Sequence, residues 1–132
     1  MKYLLDTNIC IYIIKQKPKT VLDKFIDLDV FDVAVSSITL AELFYGVNKS
    51  NFKEKNLDAL QEFLLPLEIL YFDESDAFIY GKVRTELENM GKPIGSMDLL
   101  IASQALAKNL TLISNNISEF ERIKELSLQN WV

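Results

Sequence analysis

The 132-residue chain contains no histidine. Without imidazole, neither a Ser-His-Asp nor a Cys-His triad can be assembled, and a nuclease that works through a histidine acid and base is excluded with them. Zinc loses its commonest ligand, and the one cysteine, Cys10, cannot replace it. A lone thiol also rules out an internal disulfide, which suits a reducing compartment. Cys10 sits among Ile9, Ile11, Ile13 and Ile14, the setting of a small core residue rather than of a nucleophile. Long apolar runs are missing as well: no stretch approaches the ~20 residues of a membrane-spanning helix. The opening MKYLLDTN lacks the apolar run and small-residue cleavage site of a signal peptide, so the expected location is cytoplasmic. Positive charge is in short supply too. Fourteen Lys and Arg face 19 Asp and Glu, a net charge of -5. That balance argues against generic nucleic-acid binding, which runs on phosphate neutralisation by cations.

What is present is a carboxylate-rich chain of ordinary globular composition, 49% hydrophobic and 25% charged. Its length fits one domain, residues 1–132, able to bury a core without staples. With imidazole and thiolate gone, catalysis falls to carboxylates, Lys, Tyr and Ser/Thr. Carboxylates suit hard cations such as Mg²⁺ or Mn²⁺.

Hydrophobic periodicity places strands at residues 3–5, 32–38, 67–72 and 110–113, with a short edge strand over 128–132. Helices are expected over 8–16, capped by Asp6 or Thr7, and over 20–28, opening at Thr39, over 53–64 and 73–90, and from Ser96 to about Lys108. The third of these carries Leu40, Leu43, Phe44 and Val47 as its apolar stripe. Strands alternating with helices predict an α/β domain with a mostly parallel sheet. Sites in such sheets gather at the carboxyl ends of strands, so the residues just after each apolar run matter most.

Asp6 follows the first strand, where it serves equally as a helix cap or as a presented ligand. Glu42 falls outside the apolar stripe of its helix, between the non-polar Ala41 and Leu43. Asp98 opens a helix that is apolar nearly all round (Leu99, Leu100, Ile101, Ala102, Ala105, Leu106) and is therefore expected to be buried, so this carboxylate needs a partner. Ser114, Asn115 and Asn116 follow the fourth strand as turn residues or as a hydroxyl and amides beside a metal. Carboxylates gathered at ~4 Å repel by about 4 kcal/mol per pair at an effective dielectric near 20. Such a cluster persists only with a bound cation or with protons taken up. A divalent cation there would polarise a phosphodiester and lower the pKa of a bound water.

The motifs LLDTNICIYIIK (4–15), SSITLAELFYG (36–46), GKPIGSMDLLIA (91–102) and LISNNISEFERI (112–123), in this order and spacing, resemble those of PIN-domain ribonucleases, specifically the VapC toxins of bacterial toxin–antitoxin pairs. The resemblance runs end to end, through Trp131, and looks closest to the branch that cleaves initiator tRNA in the anticodon stem-loop. It implies a PIN-like (Rossmann-like) three-layer α/β/α sandwich with a short parallel sheet of four to five strands. It also implies Mg²⁺- or Mn²⁺-dependent hydrolysis of RNA phosphodiesters. The family's acidic ligands map to Asp6, Glu42 and Asp98. Its fourth position, Asp in many members, falls on Asn116 here, whose amide oxygen would be left to orient water. Further implied are a VapB-type antitoxin, a homodimer that assembles with it, and operator DNA bound only by the complex.

Substrate phosphates need cations outside this centre. Lys15, Lys17, Lys49 and Lys92 are the candidates, with Ser114 as a polar contact. Local basic edges on an acidic body make a selective nuclease compatible with the charge of -5. A phosphatase of the haloacid-dehalogenase type would need a second Asp two residues after the first, where Asn8 stands. A non-catalytic PIN-type RNA- or protein-binding module is the remaining alternative, and it would be expected to lose acidic ligands that are intact here.

Overall fold

A computed structural model describes residues 1–132. Three short central strands are the heart of it: β1 (Tyr3–Leu5), β2 (Val33–Ser36) and β4 (Thr111–Ile113). With β3 (Glu68–Leu70) and β5 (Leu128–Gln129) they form one sheet, ordered β3-β2-β1-β4-β5, in which every pairing is parallel. Parallel neighbours require crossover connections, and helices supply them. These are α1 (Thr7–Lys15), α2 (Lys19–Ile26), α3 (Ser37–Lys49), α4 (Lys53–Leu64), α5 (Glu74–Asn89), α6 (Ser96–Ala107) and the single turn α7 (Ile117–Phe120).

Strand side chains alternate between faces, and the core divides accordingly. Leu4, Ala34 and Leu112, which are in register, point to one side and meet Val83 and Leu87 of α5, Leu99 and Ala102 of α6, and Phe120 of α7. Leu5, Val33, Val35 and Ile113 point to the other, against Ile9, Cys10 and Ile13 of α1, Val21, Leu43 and Leu60. The result is the three-layer α/β/α sandwich that the resemblance implies, built on the parallel sheet that the alternation of elements predicts. Trp131 closes the second face, edge-on to Tyr3 at 6.2 Å between ring centroids.

Cys10 is fully buried, and that burial pushes its thiol well up, which confirms it as core. The apolar helix behind Asp98 is buried as expected, down to Ser103 and Gln104.

Three expectations need correction. The second strand stops at Ser36, because the Ser36 hydroxyl accepts from the Ile38 amide and starts α3 there rather than at Thr39. Phe44 lies on the rim, 36% exposed, while the inward face of α3 runs through Thr39 and Leu43. Ser96 is the first residue of α6 and not its cap; Gly95 holds that place without a side-chain hydrogen bond.

Candidate functional site

Because the sheet is parallel, the ends of β1, β2 and β4 open on the same edge, and the chain puts Asp6, the start of α3 and Ser114 there. Asp6 is the N-cap of α1: its Oδ1 accepts from the Ile9 amide at 3.0 Å. Its Oδ2 accepts a short hydrogen bond from the Ser114 hydroxyl, which is itself wholly buried and accepts from the Asn116 amide at 2.9 Å. Asp6 is therefore both cap and presented carboxylate. Burial raises its pKa, the nearby Glu42 charge adds to the rise, and the Ser114 and Ile9 donors oppose it.

Glu42 reaches the same edge from the second turn of α3. It accepts a hydrogen bond from Thr7 Oγ1 at 2.6 Å. Asp98 lies in the first turn of α6, and its partner is the side-chain amide of Asn116, 3.1 Å from Oδ2. That amide also donates to Glu119 Oε2 at 3.0 Å. The two facing carboxylates fix the amide's orientation: its NH₂ group, with two protons, is turned to them. Burial first, then Glu119 and the Asp6 charge, raise Asp98 to about 6.

Glu119 is thus a fourth acid in the cluster, and sequence reasoning overlooked it. It lies one helical turn after Asn116, in a four-residue helix too short to show any periodicity. The Asn116 position does not leave the site one acid short, since Glu119 supplies that charge from the next turn. The Asn116 side-chain NH₂ group bridges two of the acids as a donor.

No three acidic side chains converge into a ready-made metal cage. Neutral donors stand between them: Ser114 on Asp6, Thr7 on Glu42, and Asn116 between Asp98 and Glu119. Ser114 and Thr7 each stabilise one charge locally, and Asn116 stabilises two at once. The donor set consists entirely of oxygens on carboxylates and hydroxyls, and burial raises two of the acids, Asp6 and Asp98. That chemistry fits a hard divalent cation.

Asn115 turns away from the acids, donating to the Tyr12 hydroxyl at 3.1 Å. Lys15 is exposed on the rim of an open cleft of about 320 Å³ between α1, α3 and α4, which Glu42 also lines. Lys17, Lys49 and Lys92 are exposed and bear no carboxylate partner; Lys49 sits 4.9 Å over the Tyr45 ring. No helix is long and apolar enough to cross a membrane.

Residues 3–126 match the PIN domain family. A Rickettsia felis protein named Ribonuclease VapC2 is 52% identical over 132 residues, spanning 99% of this chain and 98% of its own length. A Shigella flexneri protein named tRNA(fMet)-specific endonuclease VapC is 40% identical over 131 residues, at 99% and 98% coverage. Among solved structures, VapBC2 of Rickettsia felis bound to a promoter DNA fragment superposes with a TM-score of 0.92 at 49% identity, covering both chains completely. DNA-bound VapBC of Salmonella typhimurium superposes at 0.94 with 40% identity, covering 100% and 99% of the two chains. By sequence from end to end and by fold, the chain belongs to the PIN-domain family, within its VapC ribonuclease branch.

Proposed function

We propose that the chain is a divalent-metal-dependent endoribonuclease, the toxin of a VapBC pair, and that it cuts tRNA, with the anticodon stem-loop of initiator tRNA as the favoured target, thereby blocking translation in the cytoplasm. The observation that carries this is the acidic edge itself: Asp6, Glu42 and Asp98, joined by Glu119, held by neutral donors at the carboxyl end of a parallel sheet. The tRNA assignment is supported by the name of the Shigella flexneri relative, a tRNA(fMet)-specific endonuclease, and the pairing with an antitoxin by the VapBC complexes.

In this scheme Asp6, Glu42 and Asp98 hold Mg²⁺, or Mn²⁺ in its place. When bound, the cation supplies Lewis acidity toward the scissile phosphate and lowers the pKa of water. The protein's own part is to place the charges. Ser114 fixes Asp6, and Asn116 keeps Asp98 and Glu119 side by side. Outside the acids, Lys15, Lys17, Lys49 and Lys92 meet the RNA backbone. A VapB-type antitoxin covers the toxin, a homodimer forms within the complex, and operator DNA is bound by that complex. Exposed Phe44, Tyr45, Tyr71 and Phe78 offer apolar surface for such assembly.

The test is cleavage of purified tRNAs by the full chain with Mg²⁺ or with EDTA, beside Asp6→Asn. Initiator tRNA cut once in its anticodon stem-loop, only with Mg²⁺ and only by the unaltered chain, is the expected result. Cleavage that survives EDTA or the substitution would overturn the metal-carboxylate scheme. Tight RNA binding without any cleavage would favour the non-catalytic module.

A further inference from the structure

Thr7 is the first residue of α1, directly after Asp6. Its hydroxyl donates to Glu42 Oε1 at 2.6 Å, the one side-chain hydrogen bond that Glu42 makes. Thr39 Oγ1, fully buried on α3 one turn before Glu42, lies 3.5 Å from the same hydroxyl. Glu42 takes part in no ion pair, and on one side it borders the open cleft lined by Ile11, Ile14 and Gly46.

These facts set a mechanical problem. Glu42 and Asp6 repel each other. Glu42 has a long, rotatable side chain with open space beside it, so electrostatics alone would swing its carboxylate away from Asp6 and into the cleft. Thr7 is suited to oppose that swing. It is β-branched, so its χ1 has few rotamers to choose from, and it follows Asp6 in the chain, so the hydroxyl moves with that carboxylate.

We propose that Thr7 is a positioning residue whose hydroxyl holds the Glu42 carboxylate facing Asp6, and so sets the spacing between the two on which cation binding depends. The proposal rests on the assignment of Asp6 and Glu42 as cation ligands. The requirement is for an oxygen at this place and not for volume. Valine, of nearly the same shape, removes the donor; serine keeps it.

The experiment compares the full chain with Thr7→Val, Thr7→Ser and Glu42→Gln. Mn²⁺ binding is measured by calorimetry in the absence of RNA, and kcat and KM for RNA are measured separately. Loss of a group that orients a metal ligand typically costs about 10–100-fold in affinity. Thr7→Val is expected to weaken Mn²⁺ binding and lower kcat at subsaturating metal by that factor, with KM for RNA unchanged. Thr7→Ser should return both to within about threefold of the unaltered chain. Thr7→Val that binds Mn²⁺ normally, while Glu42→Gln does not, would overturn the role of Thr7 and leave the carboxylate assignment standing. Unchanged Mn²⁺ affinity in Glu42→Gln would overturn that assignment and this proposal with it. Equal impairment in the Ser and Val variants would also overturn it, by showing that a hydroxyl at this place is not what Glu42 requires.

Discussion

Asp98 carries the most consequence for a single substitution. Half-buried beside Glu119 and in the field of Asp6, its carboxylate is held at a cost that the Asn116 donor offsets in part and that a bound cation or a proton relieves. Replacing it with Asn keeps the shape and removes the charge. In EDTA at neutral pH, Asp98→Asn should therefore melt roughly 3–6 °C higher than the unaltered chain, while Mg²⁺-dependent cleavage falls at least about a hundredfold. A lower melting temperature in EDTA would contradict the repulsion. Asn116→Asp runs the other way. It places a carboxylate where an amide now donates to both Asp98 and Glu119. The variant should melt several degrees lower in EDTA, and Mg²⁺ should raise its melting temperature by more than it raises that of the unaltered chain. Thermal scans with and without Mg²⁺ check both substitutions. Three of the four acids were legible in the sequence because each stands next to an apolar run: Asp6 after a strand, Asp98 before a buried helix, Glu42 beside a helix stripe. Glu119 was not, since a one-turn helix has no stripe to depart from. The donors were named only in part. Ser114 was legible from its place after a strand, whereas Thr7 reads locally as a helix start until α3 is brought against it.

Among the elements, α5 and α6 depend on a contact that no periodicity announces. Asp73 caps α5, Asp76 completes the capping box while fully buried, and Lys108, just past α6, lies 2.5 Å from Asp73 and 3.3 Å from Asp76. The Lys108 hydrogen bond holds the Asp73 carboxyl well below the usual carboxylate range, and the same bond raises Lys108. A depressed acid contributes stability above its ordinary value of 3.8 that is lost as the pH falls below it. A raised amine contributes below its ordinary 10.5 and loses that contribution above it. The pair thus works between those limits. Lys108→Met should lower the melting temperature by roughly 5 °C at pH 7, because it leaves the buried Asp76 carboxylate without its cation. The deficit should close as the solution is acidified below the carboxylate range. A deficit that stays constant down to pH 2 would mean that the loss is one of packing. The strands and long helices themselves were readable, since LLI-type runs and capped amphipathic stretches state their type locally. Their edges were less so. The strand after Asp32 ends two residues early because a Ser36 cap competes with the ladder. That contest is settled by a cap two residues away in sequence, which hydrophobic periodicity does not register.

At the scale of the whole molecule, the question is how a chain of net charge -5 holds RNA. The acids that dominate the count are partly spent on one edge, among themselves and their donors. Lys15, Lys17, Lys49 and Lys92 remain exposed and unpaired, free to neutralise phosphates. Each phosphate neutralised on a single strand contributes about 0.7 to the dependence of log affinity on log salt. If all four lysines engage, KM for an RNA stem-loop should rise with monovalent salt at a logarithmic slope of about 3, at saturating Mg²⁺. Lys15→Gln and Lys49→Gln should each lower that slope by about 0.7 and leave kcat unchanged, because neither side chain is part of the acidic cluster. Steady-state cleavage over a salt series measures both quantities. A slope near zero in the unaltered chain would show that RNA is held by shape and base contacts instead. A fall in kcat on replacing Lys15 would move that lysine from the rim into the site, which its shared cleft with Glu42 makes the sharpest of these outcomes to look for.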